Sequence, residues 1–289
     1  MLKTEKKILL WIEKNMLFLM ALLAAAVGLY LRRAVIWWAS PDASFYFDGH
    51  ADNIQSASYY LLVHLFQYLP MLPLHSMKWF AGAADYVVAV LCIAAAGEGV
   101  KSEKLKRAFC LTVCILSPVV YLRGSCWAQI DSAAFAFLLG GYILWRKEKK
   151  AAAAALAATG TALYPCLLLA VLWWWLCGKE ERTGRDWIYL GIMAAGVCAL
   201  QGISGLLTGR SWTDSILSCI RWTTYDPYTG TLYKDPLLWV KQMVNLFGYT
   251  AAMVSGIAAY RHKVSYVVPL LVHLAVLLVY GSLLFPVAA

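Results

Sequence analysis

From Tyr121 to Asp131 the chain reads Tyr-Leu-Arg-Gly-Ser-Cys-Trp-Ala-Gln-Ile-Asp. An arginine, a tryptophan, a glutamine and an aspartate stand there between two apolar stretches, Val113 to Leu122 and Ala133 to Trp145. A guanidinium can hold a phosphate through a bidentate fork, and a carboxylate can take a proton from a hydroxyl. A second polar stretch, Ser40 to Asn53, holds Asp42, Asp48, His50 and Asp52. That set is enough for a general base or a metal site. Its spacing fits neither an HExxH helix nor an EF-hand loop, so the base is the stronger reading and no metal is expected.

The elements around these residues are membrane helices. The chain has 289 residues, 62% hydrophobic and 14% charged, with mean hydropathy +0.64. A soluble domain carries about 25% charged residues. The apolar runs are roughly 17–25 residues long, which suits helices and not the ten-residue alternating strands of a barrel. The expected fold is an all-α polytopic membrane protein, one transmembrane domain over 1–289. It has about seven full spans plus a broken-helix hairpin.

The spans are expected at Met16 to Tyr30, Trp79 to Ala96, Ala108 to Leu122, Ser132 to Trp145, Trp187 to Leu207, Leu237 to Tyr260 and Val264 to Pro286. Residues 1–15 place Leu9, Leu10, Trp11 and Ile12 among Lys3, Lys6, Lys7 and Lys14. They are expected to form an amphipathic helix on the cytoplasmic surface, and not a cleaved signal. Residues 151–177 are apolar between two basic flanks and hold Tyr164-Pro165 near the middle. Two basic flanks place both ends inside, so a broken hairpin is favoured over one long tilted span. The amino terminus and the basic turns at Gly97–Arg107, Arg146–Lys150, Lys179–Arg185 and Arg261–Lys263 then lie in the cytoplasm. Residues 32–78, Arg123 to Asp131, residues 209–236 and the carboxyl terminus lie outside.

The net charge of +9 is read as an orientation and lipid-headgroup signal, with no nucleic-acid partner. Eight cysteines include no CxxC pair. Cys126 and Cys219 share the outer side and could be bridged, but free thiols are the favoured reading. The outer face carries a surplus of cations: Arg32, Arg33, Arg123, Arg210, Arg221 and Lys234. One by one, they suit snorkelling or pairing with Asp42, Asp48, Asp214 and Asp226. Together they point to an anionic ligand. Residues 209–236 add Trp212, Trp222, Tyr225, Tyr228 and Tyr233, rings that suit a sugar face or a membrane interface.

The string Ser117 to Asp131 resembles the W-x-Q-x-D signature of integral-membrane GT-C glycosyltransferases. The likeness is to the mannosyltransferase-like branch, which includes the GPI mannosyltransferases and bacterial relatives. A span ending in Ser-Pro precedes the motif, and a basic turn with a broken apolar pair follows it. The resemblance covers about Met16 to Cys177. It implies a GT-C-like helical bundle that moves a hexose from a polyprenyl-phosphate donor to a glycan or glycolipid acceptor at the outer face. It assigns the general base to Asp42, with Asp48 as fallback. Trp127, Gln129 and Asp131 would shape the cavity, and Arg32, Arg33, Arg123 and Arg221 would hold the lipid phosphate, with Tyr225 nearby. No metal or cofactor is implied. No lysine stands between Thr161 and Tyr164, and the chain is short for the family, which leaves room for a partner subunit or a non-catalytic scaffold. The other competing reading is a transporter or flippase for an anionic lipid-linked headgroup. Against it, mid-span ionisable residues are few: Asp85, Lys241 and His273.

Overall fold

No glycine or proline interrupts the chain between Lys3 and Val27. In a computed structural model of the protein, α1 accordingly runs unbroken from Lys3 to Ala34. The structure describes residues 3–38, 56–95, 104–126, 128–165, 167–168, 171 and 184–221, with scattered positions between 251 and 275. Among these residues every regular element is helical.

α1 therefore joins the basic amphipathic stretch to the first span as one rod. Asn15, at the expected boundary, donates to the Trp11 carbonyl one turn back (2.8 Å). The helices that follow are α2 (Ala57–Phe66), α3 (Pro73–Ala95), α4 (Lys104–Leu116), α5 (Asp131–Arg146), α6 (Lys150–Leu163), α7 (Gly184–Leu207) and α8 (Trp212–Arg221). Among the described residues three segments are long and apolar enough to cross a membrane: Lys14–Ala34, Pro73–Ala95 and Asp186–Leu207. Their outward faces show Phe18, Leu23, Val90 and Leu206, the surface expected where the solvent is lipid.

The expected third span, Ala108 to Leu122, is divided. α4 stops at Leu116, Pro118–Tyr121 makes one further turn, and Leu122–Cys126 is π-helical. Pro118 has no N–H to continue the ladder, and it disfavours helical backbone at Ser117. α5 covers the expected fourth span in 16 residues, below the roughly 20 that cross a bilayer upright. The spans expected at Leu237 to Tyr260 and Val264 to Pro286 fall almost wholly outside the described residues.

α6 ends at Leu163, with Tyr164 extended at φ −137° and ψ 92°. A turn follows, in which the Leu167 and Leu168 amides donate to the Tyr164 and Pro165 carbonyls. A straight continuation would carry residue 171 about 12 Å past Leu163. Instead Val171 lies in one buried cluster with Leu138, Ala154, Ala157, Ala158 and Met193, so the chain turns back after Pro165. α5 and α6 approach closely through small residues. A Cβ at Gly160 would sit 2.6 Å from the Ala134 carbonyl, and one at Gly141 would sit 3.0 Å from the Ala153 carbonyl.

At one end of the bundle Arg146 donates to the Ala95 carbonyl (3.4 Å) and Lys150 pairs with Asp186 (2.9 Å). α2 docks at the other end. Ser56 caps it, accepting from the Tyr59 amide and donating to the Leu163 carbonyl, both at 3.2 Å. Gln201 of α7 takes the Ser58 amide (3.1 Å) and donates to the Ala162 carbonyl (2.5 Å). One side chain thus satisfies the open ends of two helices.

Candidate functional site

The segment 117–131 packs against α1 and α3, and its far end against α2, before it runs into α5. Its middle is pressed onto α3, where a Cβ on Gly124 would lie 3.3 Å from Ala81 Cβ and 3.4 Å from Asp85 Oδ2. Ala128 is fully buried with φ 56°, a left-handed conformation that L-residues adopt at a cost of about 1–2 kcal/mol. Ala128 and Ile130 pack with Tyr59 and Val63 of α2 and with Met77 and Ala81 of α3. Burial of these two side chains holds the strained backbone in place. Gln129 and Asp131 are half-buried and both are engaged. Trp127 lies outside the described residues, and Arg123 is described only as part of the π-helical turn.

The polar centre beneath this turn is an ion pair that sequence spacing does not reveal. Arg32 and Asp85 meet at 2.7 Å, both side chains almost wholly buried. Arg32 donates to Asp85 Oδ2 from Nε (3.3 Å) and Nη2 (2.7 Å). Its Nη1 donates to the carbonyls of Gly28 and Ile115, both at 3.2 Å. Four of its five N–H donors are thereby engaged. The Tyr86 ring lies 5.0 Å beneath the guanidinium, and the Tyr86 hydroxyl donates to the Ala25 carbonyl (2.8 Å). Ser132, the second residue of α5, donates to Asp85 Oδ1. Asp85 sits near the middle of α3, roughly 15–18 Å from either end.

This corrects the expectation for Arg32. The sequence reading ends the first span at Tyr30 and places Arg32 outside as a phosphate ligand. α1 continues to Ala34, which carries Arg32 into the packed interior and commits it to Asp85. Lys78, read as the last residue of the outer loop, is likewise inside α3 and 2% exposed. Its ammonium donates to the carbonyls of Ile36 (2.8 Å) and Trp38 just past the end of α1. Arg32 thus caps the Ile115 carbonyl at the end of α4, and Lys78 caps carbonyls just past the end of α1. Left without partners, such carbonyls cost several kcal/mol each where water is excluded.

Of the remaining expected site residues, only the Arg33 side chain is described. Arg33, beside Arg32 on α1, is exposed. Arg221 ends α8, its side chain outside the described residues, and Asp42, Asp48 and Tyr225 also lie outside them. The structure therefore brings Gln129, Asp131 and Arg32 to one region, the last as an internal group. It adds Lys78, Asp85, Ser125 and Ser132, which sequence reasoning did not assign to the site. The available signal was Asp85 itself, an acid in the middle of an apolar span. Ser125 Oγ is buried without a partner, and it and Arg32 Nε each lie 3.6 Å from where a Cβ on Gly82 would be. Among the described residues no group of three or more His, Cys, Asp or Glu could hold a metal ion.

Comparison of the chain with protein-family models, with curated proteins and with solved structures finds no match.

Proposed function

We propose that the protein is a membrane glycosyltransferase of GT-C type, moving a hexose from a polyprenyl-phosphate donor to a glycan or glycolipid acceptor at the outer face. The observation that carries this reading is the irregular segment 117–131, which bears Trp127, Gln129 and Asp131 and buries Ala128 and Ile130 against α2 and α3. Irregular backbone at membrane depth persists where protein buries it or where it lines a cavity. Strained backbone such as that of Ala128 concentrates at functional sites.

In this scheme the acceptor hydroxyl oxygen attacks the anomeric carbon, and its proton passes to Asp42, with Asp48 as the alternative base. The bond from that carbon to the phosphate oxygen breaks. The lipid phosphate leaves with the electron pair, and the exposed Arg33, with Arg123 and Arg221, stabilises its charge. Asp131 and Gln129 orient the acceptor.

The test offers the reconstituted protein a radiolabelled polyprenyl-phosphate hexose and a mixed acceptor pool, alongside Asp42→Asn and Asp131→Asn. Loss of transfer in both variants is expected, and transfer unaffected by both removes the proposed site. A second reading, a transporter or flippase for an anionic lipid headgroup, draws on the Arg32–Asp85 pair, since intramembrane charges often mark a translocation path. Headgroup-dependent lipid movement in liposomes, with no transfer from any donor, would favour it.

A further inference from the structure

We infer that one face of α3, through Lys78 and Asp85, positions the turn 117–131 and the stretch of chain just past α1 that leads to Asp42. The inference rests on the transferase reading only for its kinetic consequence. Asp85 and Arg32 grip the turn 117–131 at both ends. On the entry side Arg32 takes the carbonyl of Ile115, one residue before the end of α4. On the exit side Asp85 accepts the hydroxyl of Ser132, next to Asp131. Between them Gly124 lies against Asp85. The Ser125 hydroxyl is buried beside the pair without a hydrogen bond, so that side chain adds none of the grip.

Lys78 stands seven residues before Asp85, two helical turns away on the same face. It fixes Ile36 and Trp38, and Trp38 is four residues before Asp42. A single helix thus spaces the chain leaving α1 from the turn that ends at Asp131. Lys78 and Asp85 are both buried, so they act by holding these segments and are positioning residues.

The experiment reads segment position through thiol protection. Cys126, 7% exposed at the end of the π-helical turn, is kept as the sole cysteine and labelled with N-ethylmaleimide in nanodiscs. Removing one partner of a buried pair leaves the other uncompensated. Asp85→Asn and Arg32→Gln should therefore speed labelling about tenfold or more. Ser132→Ala, a milder change, should give a smaller rise. The exchanged pair, Arg32→Asp with Asp85→Arg, should bring the rate back toward the parent value. For Lys78 the reporter is Ile36→Cys on a cysteine-free chain, and Lys78→Met should speed its labelling.

Ala157→Cys, in the separate α5–α6–α7 cluster, monitors general unfolding and should stay protected throughout. Rates within about twofold of the parent for Asp85→Asn and Ser132→Ala overturn the inference, as does an equal rise at the Ala157 reporter. In a preparation that transfers sugar, Asp85→Asn should lower kcat with KM close to the parent value. If the parent transfers nothing, the transferase reading fails and the labelling result still decides the positioning role.

Discussion

At the scale of single residues, Ala128 sets the sharpest constraint. Its φ of 56° suits glycine, yet its full burial leaves no room for anything larger than its own methyl group. Ala128→Gly removes about 1–2 kcal/mol of left-handed strain, against roughly 0.5–1 kcal/mol of unfolded-chain entropy and about 0.8 kcal/mol for the buried methyl lost, so its melting temperature should stay close to the parent's. Ala128→Val combines a β-branched side chain at positive φ with overpacking of about 1–3 kcal/mol and should melt several degrees lower. Thermal unfolding in detergent distinguishes the two, and a Val variant as stable as the parent would contradict this geometry. None of this is legible in the sequence, where Ala128 is one small residue in a polar string. Arg32 was misread for a related reason. Its partner is 53 residues away, and α1 runs one turn beyond the Tyr30 end that hydropathy indicates.

At the scale of elements, close crossings and end contacts dominate. Gly160 lets the α5 backbone approach α6, while Gly191 of α7 has nothing within 4 Å of its missing Cβ. Gly160→Ala should therefore destabilise by about 1–3 kcal/mol, whereas Gly191→Ala should be neutral or stabilise by up to about 1 kcal/mol. Equal melting temperatures for the two would refute the crossing.

The contact between the starts of α6 and α7 has a pH signature. The Lys150 ammonium is raised above its ordinary 10.5, first by its hydrogen bond to Asp186, against an opposing desolvation and with Glu148 adding. A raised lysine contributes stability that is complete below pH 10.5 and is lost as pH climbs through the folded value. Lys150 is partly exposed, so the effect is small. The gap in melting temperature between the parent and Asp186→Asn should stay level from about pH 6 to 9 and close only in stronger alkali. A gap that closes below pH 9 would rule out this pair as its source. Helices were the most legible elements, because apolar run length and Tyr164-Pro165 mark them directly. The stop at Ser117 was less so, because the residues on both sides of Pro118 are apolar enough to read as one span.

At the scale of the whole molecule, the described residues form a helical bundle with three helices of spanning length. Its basic turn and the Lys150–Asp186 pair lie at one end, and the capped start of α2 lies at the other. The class of protein was therefore visible in composition, while the charge centre that organises the bundle was not. Hydropathy registers how much apolar material surrounds Asp85 and Lys78, and nothing of which helix faces them. The expected orientation places Lys147 in the cytoplasm and Tyr68 outside. Single-cysteine replacements at these two positions should be labelled from opposite sides of sealed vesicles, and labelling from the same side would invert or break the proposed topology.

A rod without a joint is a lever. α1 is about 48 Å long against a hydrocarbon core of about 30 Å, so it must tilt or project, and Trp11 is rigidly connected to Arg32. Tilt imposed by a thicker or thinner bilayer would reach the Arg32–Asp85 pair, and through it the turn that holds Cys126. The labelling rate of Cys126 should accordingly change with lipid acyl-chain length. A rate that is flat across the series would mean that the pair absorbs no load, and the protein would then be indifferent to the thickness of the membrane it occupies.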